Sequence, residues 1–297
     1  MPTLKIDEFF DYRIQLLSKS PALNEIKSLP ELKGLYYPLS QQNMGSRILQ
    51  KLLKKASPQE IKEMCEELKP EFPHMILDSY GNYVVQKIFA CSPSHLRSNL
   101  LSWLEKDLIQ LLMTKTGTHS LQAIVQLLDV ASRQKVYELI AGQEMTLCKN
   151  EFGTHFMQKL VELETNYDFI GRILSQFQLV ACSKYGIVVL KAIVKQTAND
   201  YNLRCCMLEC CQANFGSVYA DEFGHYIIEE LFRYYNEYEL QVVLEYIAAY
   251  VVVISQNVYS SNIIKKGLEL FSEVRLPLFR PGKPSWCATC WRTKEKE

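Results

Sequence analysis

The sequence predicts an all-α fold built as a solenoid of stacked helical units, and three observations carry that prediction. A glycine-led segment recurs at a period close to 36 residues. Each copy places apolar residues at helical spacing, and no strand-like alternation of any length occurs.

Residues 1–36 precede the first full copy and are expected to form an N-terminal helical cap. The copies then run through residues 37–275. Their glycine slots fall at Gly45 in MGSRILQKLL, Gly81 in YGNYVVQKIF, Gly117 in TGTHSLQAIV and Gly153 in FGTHFMQKLV. Gly186 in YGIVVLKAIV and Gly224 in FGHYIIEELF follow, and YSSNIIKKGL holds Ser260 in the glycine's place. The steps are 36, 36, 36, 33, 38 and 36 residues. So regular a period means supersecondary units that bury their faces only against neighbours.

Counted from the glycine, positions +3, +4, +7 and +8 are apolar almost throughout. Ile48, Leu49, Leu52 and Leu53 fill them in the first unit, Phe156, Met157, Leu160 and Val161 in the fourth, and Ile227, Ile228, Leu231 and Phe232 in the sixth. That is one stripe of a 3.6-residue helix. Further helical patterns lie between these segments. SPQEIKEMCEEL starts at Ser57, and SPSHLRSNLLSWLEKDL opens with Ser92 and Pro93 as N-cap and first-turn residue. Residues 276–297 leave the pattern and read as an atypical tail or an incomplete eighth unit.

Composition narrows the classes of function. With 48% apolar residues among 297, the chain can bury a large core in one elongated domain or two compact ones. Its 33 basic and 33 acidic residues cancel, so any basic patch must be local. The longest greasy stretch, near Ile247–Ile254, is too short to span a bilayer, and MPTLKIDEFF lacks the basic-then-apolar order of a secretory signal. The expectation is a soluble, cytoplasmic protein that binds no membrane. Ten cysteines do not follow a disulfide spacing; Cys205, Cys206, Cys210 and Cys211 share one helical segment and read as reduced, packed thiols. Cys287 and Cys290 form a lone CxxC with no second pair beside it, so no metal and no cofactor is assigned. There is no phosphate loop, nucleophile elbow or HExxH, and the chain reads as a non-enzyme.

The polar side of each glycine-led helix is where function is expected. With +3, +4, +7 and +8 packed inward, positions +1, +2 and +5 are expected to share the exposed edge. They read Ser46, Arg47, Gln50; Asn82, Tyr83, Gln86; Thr118, His119, Gln122; and Thr154, His155, Gln158. The later units give Ile187, Val188, Lys191; His225, Tyr226, Glu229; and Ser261, Asn262, Lys265. Position +2 is Arg, Tyr or His in five of seven units, and +5 is Gln in four. A solvated face would vary freely among Glu, Lys, Ser and Asp. A flat group at one slot, flanked by amides one turn apart, suits a row of unstacked bases. Lys51, Lys87, Lys159 and Lys266 at +6 are placed to neutralise phosphates at the rim.

The segments GSRILQK, GNYVVQK and SSNIIKK in a repeat of about 36 residues resemble the Pumilio-homology (PUF) RNA-binding family, over about residues 20–275. The resemblance implies a curved right-handed α-solenoid of seven to eight three-helix repeats. It implies single-stranded RNA, in messenger 3′ untranslated regions, bound antiparallel with one base per repeat. By the family's code, Asn82 and Gln86 with stacking Tyr83 resemble a uracil reader, and Ser46 and Gln50 with Arg47 an adenine reader. Thr118 with Gln122 and Thr154 with Gln158, stacked by His119 and His155, resemble weaker readers tolerant of uracil. Ile187 and Val188 resemble no reader, and His225 with Glu229 is atypical. Ser261 and Asn262 match the family's seventh repeat, but Lys265 stands where an acceptor for guanine is usual. The implied role is post-transcriptional regulation by a monomer with a 3′ UA preference, recruiting translational repressor or deadenylation proteins on the convex face. The competing reading is a degenerate scaffold that binds RNA loosely, or binds proteins in RNA processing.

Overall fold

The computed structural model describes residues 26–270. The tail over 276–297, with its CxxC, and residues 1–25 of the expected cap lie outside the described residues. What is described of the cap is a short 3-10 turn, Leu29–Leu32, whose two leucines are buried against the first unit. The Tyr36 hydroxyl ties it down by donating to the Leu29 carbonyl at 2.9 Å.

From there the α-helices group in threes. The first unit is α1 (Tyr36–Ser40), α2 (Asn43–Leu53) and α3 (Pro58–Leu68), and the second α4 (Phe72–Leu77), α5 (Gly81–Cys91) and α6 (Ser94–Ser102). The third is α7 (Leu108–Leu112), α8 (Lys115–Val125) and α9 (Val130–Leu139), and the fourth α10 (Glu144–Lys149), α11 (Gly153–Leu163) and α12 (Tyr167–Leu174). The fifth is α13 (Phe177–Ala181), α14 (Gly186–Gln196) and α15 (Tyr201–Ala213), and the sixth α16 (Phe215–Tyr219), α17 (His225–Tyr234) and α18 (Glu237–Ala249). The seventh contributes α19 (Val251–Gln256) and α20 (Ser261–Leu270). The described residues contain no strand.

Each of the first six units therefore has a short first helix, a long middle helix and an outer helix. Middle helices pack on middle helices from α2 through α5, α8, α11, α14 and α17 to α20, and one contiguous core runs along the whole solenoid. The +3, +4, +7 and +8 stripe forms that core, with Val84, Val85, Ile88 and Phe89 all fully buried in the second unit. Ile48, at the first unit's edge, is only half-buried.

The outer helices start where a side chain can satisfy the orphan N–H groups of a first turn. Ser57 and Glu60 form a reciprocal capping box on α3, the Ser57 N–H donating to the Glu60 carboxylate at 2.7 Å. Asp129, Asn166, Asp200 and Asn236 cap α9, α12, α15 and α18 in turn. The sixth helix departs slightly from expectation. Pro93 rather than Ser92 precedes its first turn, no side chain caps it, and it ends at Ser102.

The recurring glycines have a steric cause. A Cβ at Gly153 would lie 2.8 Å from the Leu147 carbonyl oxygen, and one at Gly224 would lie 2.6 Å from that of Val218. The carbonyl in each case lies in the last turn of the short first helix, six residues earlier, and it presses on the middle helix too closely for any side chain. The seventh unit solves the same contact differently. Buried Ser260 donates its hydroxyl to the Ile254 carbonyl at 3.1 Å, so the side chain at this close contact is hydrogen-bonded to the carbonyl it meets.

Candidate nucleic-acid interface

The middle helices carry one row of candidate side chains per unit, and the three positions in each row are not equivalent. Position +2 is the exposed one. Arg47, His119, His155 and Asn262 are exposed, Tyr83 is 48% exposed and Tyr226 is exposed at the same slot four units on, while Val188 is half-buried. Position +5 is half-buried at Gln50, Gln86, Gln122 and Gln158.

Position +1 corrects the expectation of an exposed edge. Ser46, Asn82, Thr118, Thr154, Ile187 and His225 are all buried, and of the seven only Ser261 is exposed. The reason is angular. At about 100° per residue, +1 lies about 20° from +8, a core position, and about 40° from +5. It therefore sits on the seam with the next unit. Thr118 and Thr154 use that position structurally: their hydroxyls donate to the carbonyls of Phe152 at 3.1 Å and Tyr185 at 2.8 Å, each at the turn that opens the next middle helix. Ser46 donates within its own helix to the Asn43 carbonyl at 3.0 Å.

The second unit holds the most ordered set. Asn82 is 3% exposed, and its Nδ2 donates to the Asp78 carbonyl at 2.7 Å. One turn on, Gln86 Nε2 donates to Asn82 Oδ1 at 3.1 Å and reaches Ser120 Oγ of the third unit at 3.4 Å. These bonds leave Gln86 Oε1 as an unused acceptor and one Asn82 N–H as an unused donor on the helix that exposes Tyr83. The fourth unit is less prepared, because Gln158 Nε2 turns back to Glu162 on its own helix at 3.1 Å.

From the fifth unit onward the row changes character. Glu229 at +5 of the sixth unit is 7% exposed, and its carboxylate is ion-paired with Lys266 at +6 of the seventh. Its neighbour Glu230 is also buried, paired with Arg233 at 3.1 Å and with Lys191 at 3.6 Å. His225 is turned into the seam, its Nδ1 3.0 Å from the Asp221 carbonyl oxygen and its ring 3.9 Å from that of Tyr226. Lys191 lies over the Tyr226 ring at 5.8 Å. Of the four rim lysines, Lys159 and Lys266 are ion-paired, to Glu162 and Glu229, while Lys51 and Lys87 have no ion-pair partner among the described residues.

A model of the Pumilio-family RNA binding repeat matches residues 36–69, 72–102 and 145–168. These spans fall on the first unit, the second, and the first two helices of the fourth. Over these spans the chain carries Pumilio-type repeats, and it resembles a divergent member of the Pumilio family. It is 24% identical over 276 residues to Pumilio homolog 9 of Arabidopsis thaliana, covering 86% of this chain and 46% of that protein. It is 27% identical over 273 residues to the suppressor protein MPT5 of Saccharomyces cerevisiae, covering 84% of this chain and 31% of the other. It thus spans less than half the length of these relatives. Among solved structures, it resembles the Puf4 RNA binding domain bound to an HO endonuclease RNA 3′ UTR recognition sequence. There the TM-score is 0.77 at 18% identity, covering 89% of this chain and 84% of that one. PUF-8 in complex with PBE-RNA gives a TM-score of 0.74 at 18% identity, over 87% and 76% of the two chains.

The three matched units carry a flat +2 residue and glutamine at +5, as does the unmatched third unit with His119 and Gln122. Three residues that belong to the site lay outside the sequence reasoning as readers. Ser120, a +3 core position, reaches Gln86 from the next unit, while Glu230 draws Lys191 and Lys266 pairs with Glu229 in the sixth. Each contact joins side chains 34 to 39 positions apart, and only Ser120, polar at the otherwise apolar +3 slot, carries a signal in the sequence.

Proposed function

We propose that this chain binds single-stranded RNA along the row of middle helices, one base per unit, and reads sequence chiefly through its first two units. The observation that carries the proposal is the second unit's geometry. An exposed Tyr83 ring stands beside an acceptor, Gln86 Oε1, and a donor, Asn82 Nδ2, both fixed in place by hydrogen bonds. A base stacked on the ring would present its edge to that pair. Uracil offers N3–H beside a carbonyl oxygen, the complement of acceptor and donor. Preorganisation matters because neither amide must be immobilised when the base arrives.

The reading extends by position. In the first unit Arg47 stacks, with Ser46 and Gln50 at an adenine edge. In the third and fourth units His119 and His155 stack, and Gln122 and Gln158 read with less discrimination, because Thr118 and Thr154 have given their hydroxyl protons to the seam. Binding antiparallel, the chain would demand U then A at the 3′ end of its site and accept U-rich sequence before it. In biology this is the reader of a messenger 3′ untranslated region, a cytoplasmic monomer acting in post-transcriptional regulation without catalysis. The outer helices α3, α6, α9, α12, α15 and α18 then form the face offered to translational repressor or deadenylation proteins. The Puf4 and PUF-8 complexes with RNA support the reading.

The test is equilibrium binding, at one fixed salt concentration, of seven-base RNAs ending in UA against the same bases scrambled. Preference for the UA-ending RNA by about tenfold or more is expected; equal affinity for both would leave only the scaffold reading.

A further inference from the structure

Units five to seven break the pattern of the row, and their +5 side chains are charged where the first four are amides: Lys191, Glu229 and Lys265. Glutamate at such a position is a strong acceptor. It would favour a base edge rich in donors, such as the N1–H and N2–H of guanine, over one that presents acceptors. Yet Glu229 is not available in that role. Its carboxylate is buried and ion-paired with Lys266, which reaches it from the next unit. Glu230 draws Lys191 and Arg233 to the other side of the helix, so no other cation competes for Glu229 among the described ion pairs.

We infer that Lys266 is a specificity-determining residue that silences its neighbour: by occupying the Glu229 carboxylate it removes the sixth unit's edge reading and leaves that unit to bind any base by stacking on Tyr226. The inference rests on the RNA-binding reading above and deepens it. The alternative for Lys266, a rim cation that meets phosphate, requires its ammonium to be free. Here it is committed to a carboxylate of which only 8% of the side chain is exposed. Leaving that carboxylate buried and unpaired is costly, so removing Lys266 would drive it to seek another donor. A guanine edge stacked beside it on Tyr226 is the donor within reach of the same slot. The pair is therefore a latent guanine reader held off by one lysine.

The test uses the full chain and a set of four RNAs, 5′-UNUUUUA-3′, with N each base in turn. In antiparallel register N is the base opposite the sixth unit, and the constant UA reports whether the chain binds RNA at all. Wild type is expected to bind all four within about threefold. Lys266→Met is expected to bind the guanine RNA about tenfold or more better than the uracil RNA, the size of an ordinary edge contact. Lys266→Arg, which keeps the pair, should stay flat, and Glu229→Gln in the presence of Lys266 should gain no preference for guanine.

The inference fails if Lys266→Met weakens all four RNAs equally with no new preference, which would make Lys266 a phosphate contact. It fails equally if wild type prefers guanine and Glu229→Gln abolishes that preference, since Glu229 would then be reading already. Should Lys266→Met not fold, judged by circular dichroism, the Glu229→Gln comparison still decides. Failure of the RNA-binding reading itself looks different: no variant, and not wild type, would bind any of the four.

Discussion

Replacing Tyr83 by alanine removes the ring that the second unit holds out to solvent. A tyrosine side chain carries about 200 Å² of surface, and 48% of this one is exposed, so about 100 Å² is available to a base. At about 25 cal/mol per Å² that area is worth about 2.5 kcal/mol, inside the range of about 1–3 kcal/mol measured for single base stacks. Affinity for a U-rich RNA ending in UA should therefore fall by roughly 5- to 150-fold, while Tyr83→Phe, which keeps the ring, should lose little. Fluorescence anisotropy at fixed salt measures the affinity, and far-UV circular dichroism with thermal melting checks the fold. Because half of the ring already meets water, the melting temperature should move little. Unchanged affinity in a folded Tyr83→Ala protein would show that no base stacks there. Loss of the fold would show that the ring is a packing residue, and the assignment would fail in that way instead.

Other expectations follow from neighbouring geometry. The double substitution Asn82→Ser with Gln86→Glu replaces the acceptor–donor pair by a carboxylate, and should switch the penultimate base from uracil to guanine by about 1 kcal/mol or more; competition binding with the two RNAs checks it. Thr154→Val deletes the hydroxyl that stitches the fourth unit to the Tyr185 carbonyl. It should cost about 1 kcal/mol in urea unfolding with little change in RNA affinity, whereas a loss confined to RNA binding would return Thr154 to the readers. Burial pushes the thiols of Cys65, Cys148 and Cys211 up from 9.0 to about 12. An unfolded thiol ionises near 9 and the folded one resists, so this contribution is intact below pH 9 and lost as pH rises toward 12. The urea midpoint should fall across that window and fall less in Cys211→Ala; identical slopes for the two proteins would contradict it.

The fold was legible because its constraint repeats. Each unit needs a glycine or its equivalent where a carbonyl of the first helix's last turn meets the middle helix, and a 3.6-residue stripe behind it, and both are visible as a period. Ser57 shows the same legibility at a helix start, since a capping box is written in four consecutive residues. The burial of Asn82 and Thr154 was not anticipated, although the 20° between +1 and +8 contains it; a short polar side chain reads as exposed until its neighbours across the seam are known. Glu229 marks the real limit. Its partner Lys266 lies 37 residues on, at a slot whose other lysines suggest phosphate contacts, and only stacking of the sixth unit on the seventh brings the two together. Contacts within one unit are written in local spacing, and contacts between units are not. The cysteines follow the local rule: Cys211 is a core residue of α15 while Cys206, five positions earlier, is exposed, as one helix face demands.

Selection of RNA from a fully random pool by the intact chain, at one salt concentration, tests the central claim most directly, because it presupposes no register. The enriched sequences should share U then A at the 3′ end, a U-rich stretch just upstream, and no strong preference in the three bases opposite units five to seven. A pool that enriches no common sequence, or one whose information lies at the 5′ end with the 3′ UA absent, would contradict the assignment of the first two units as the readers.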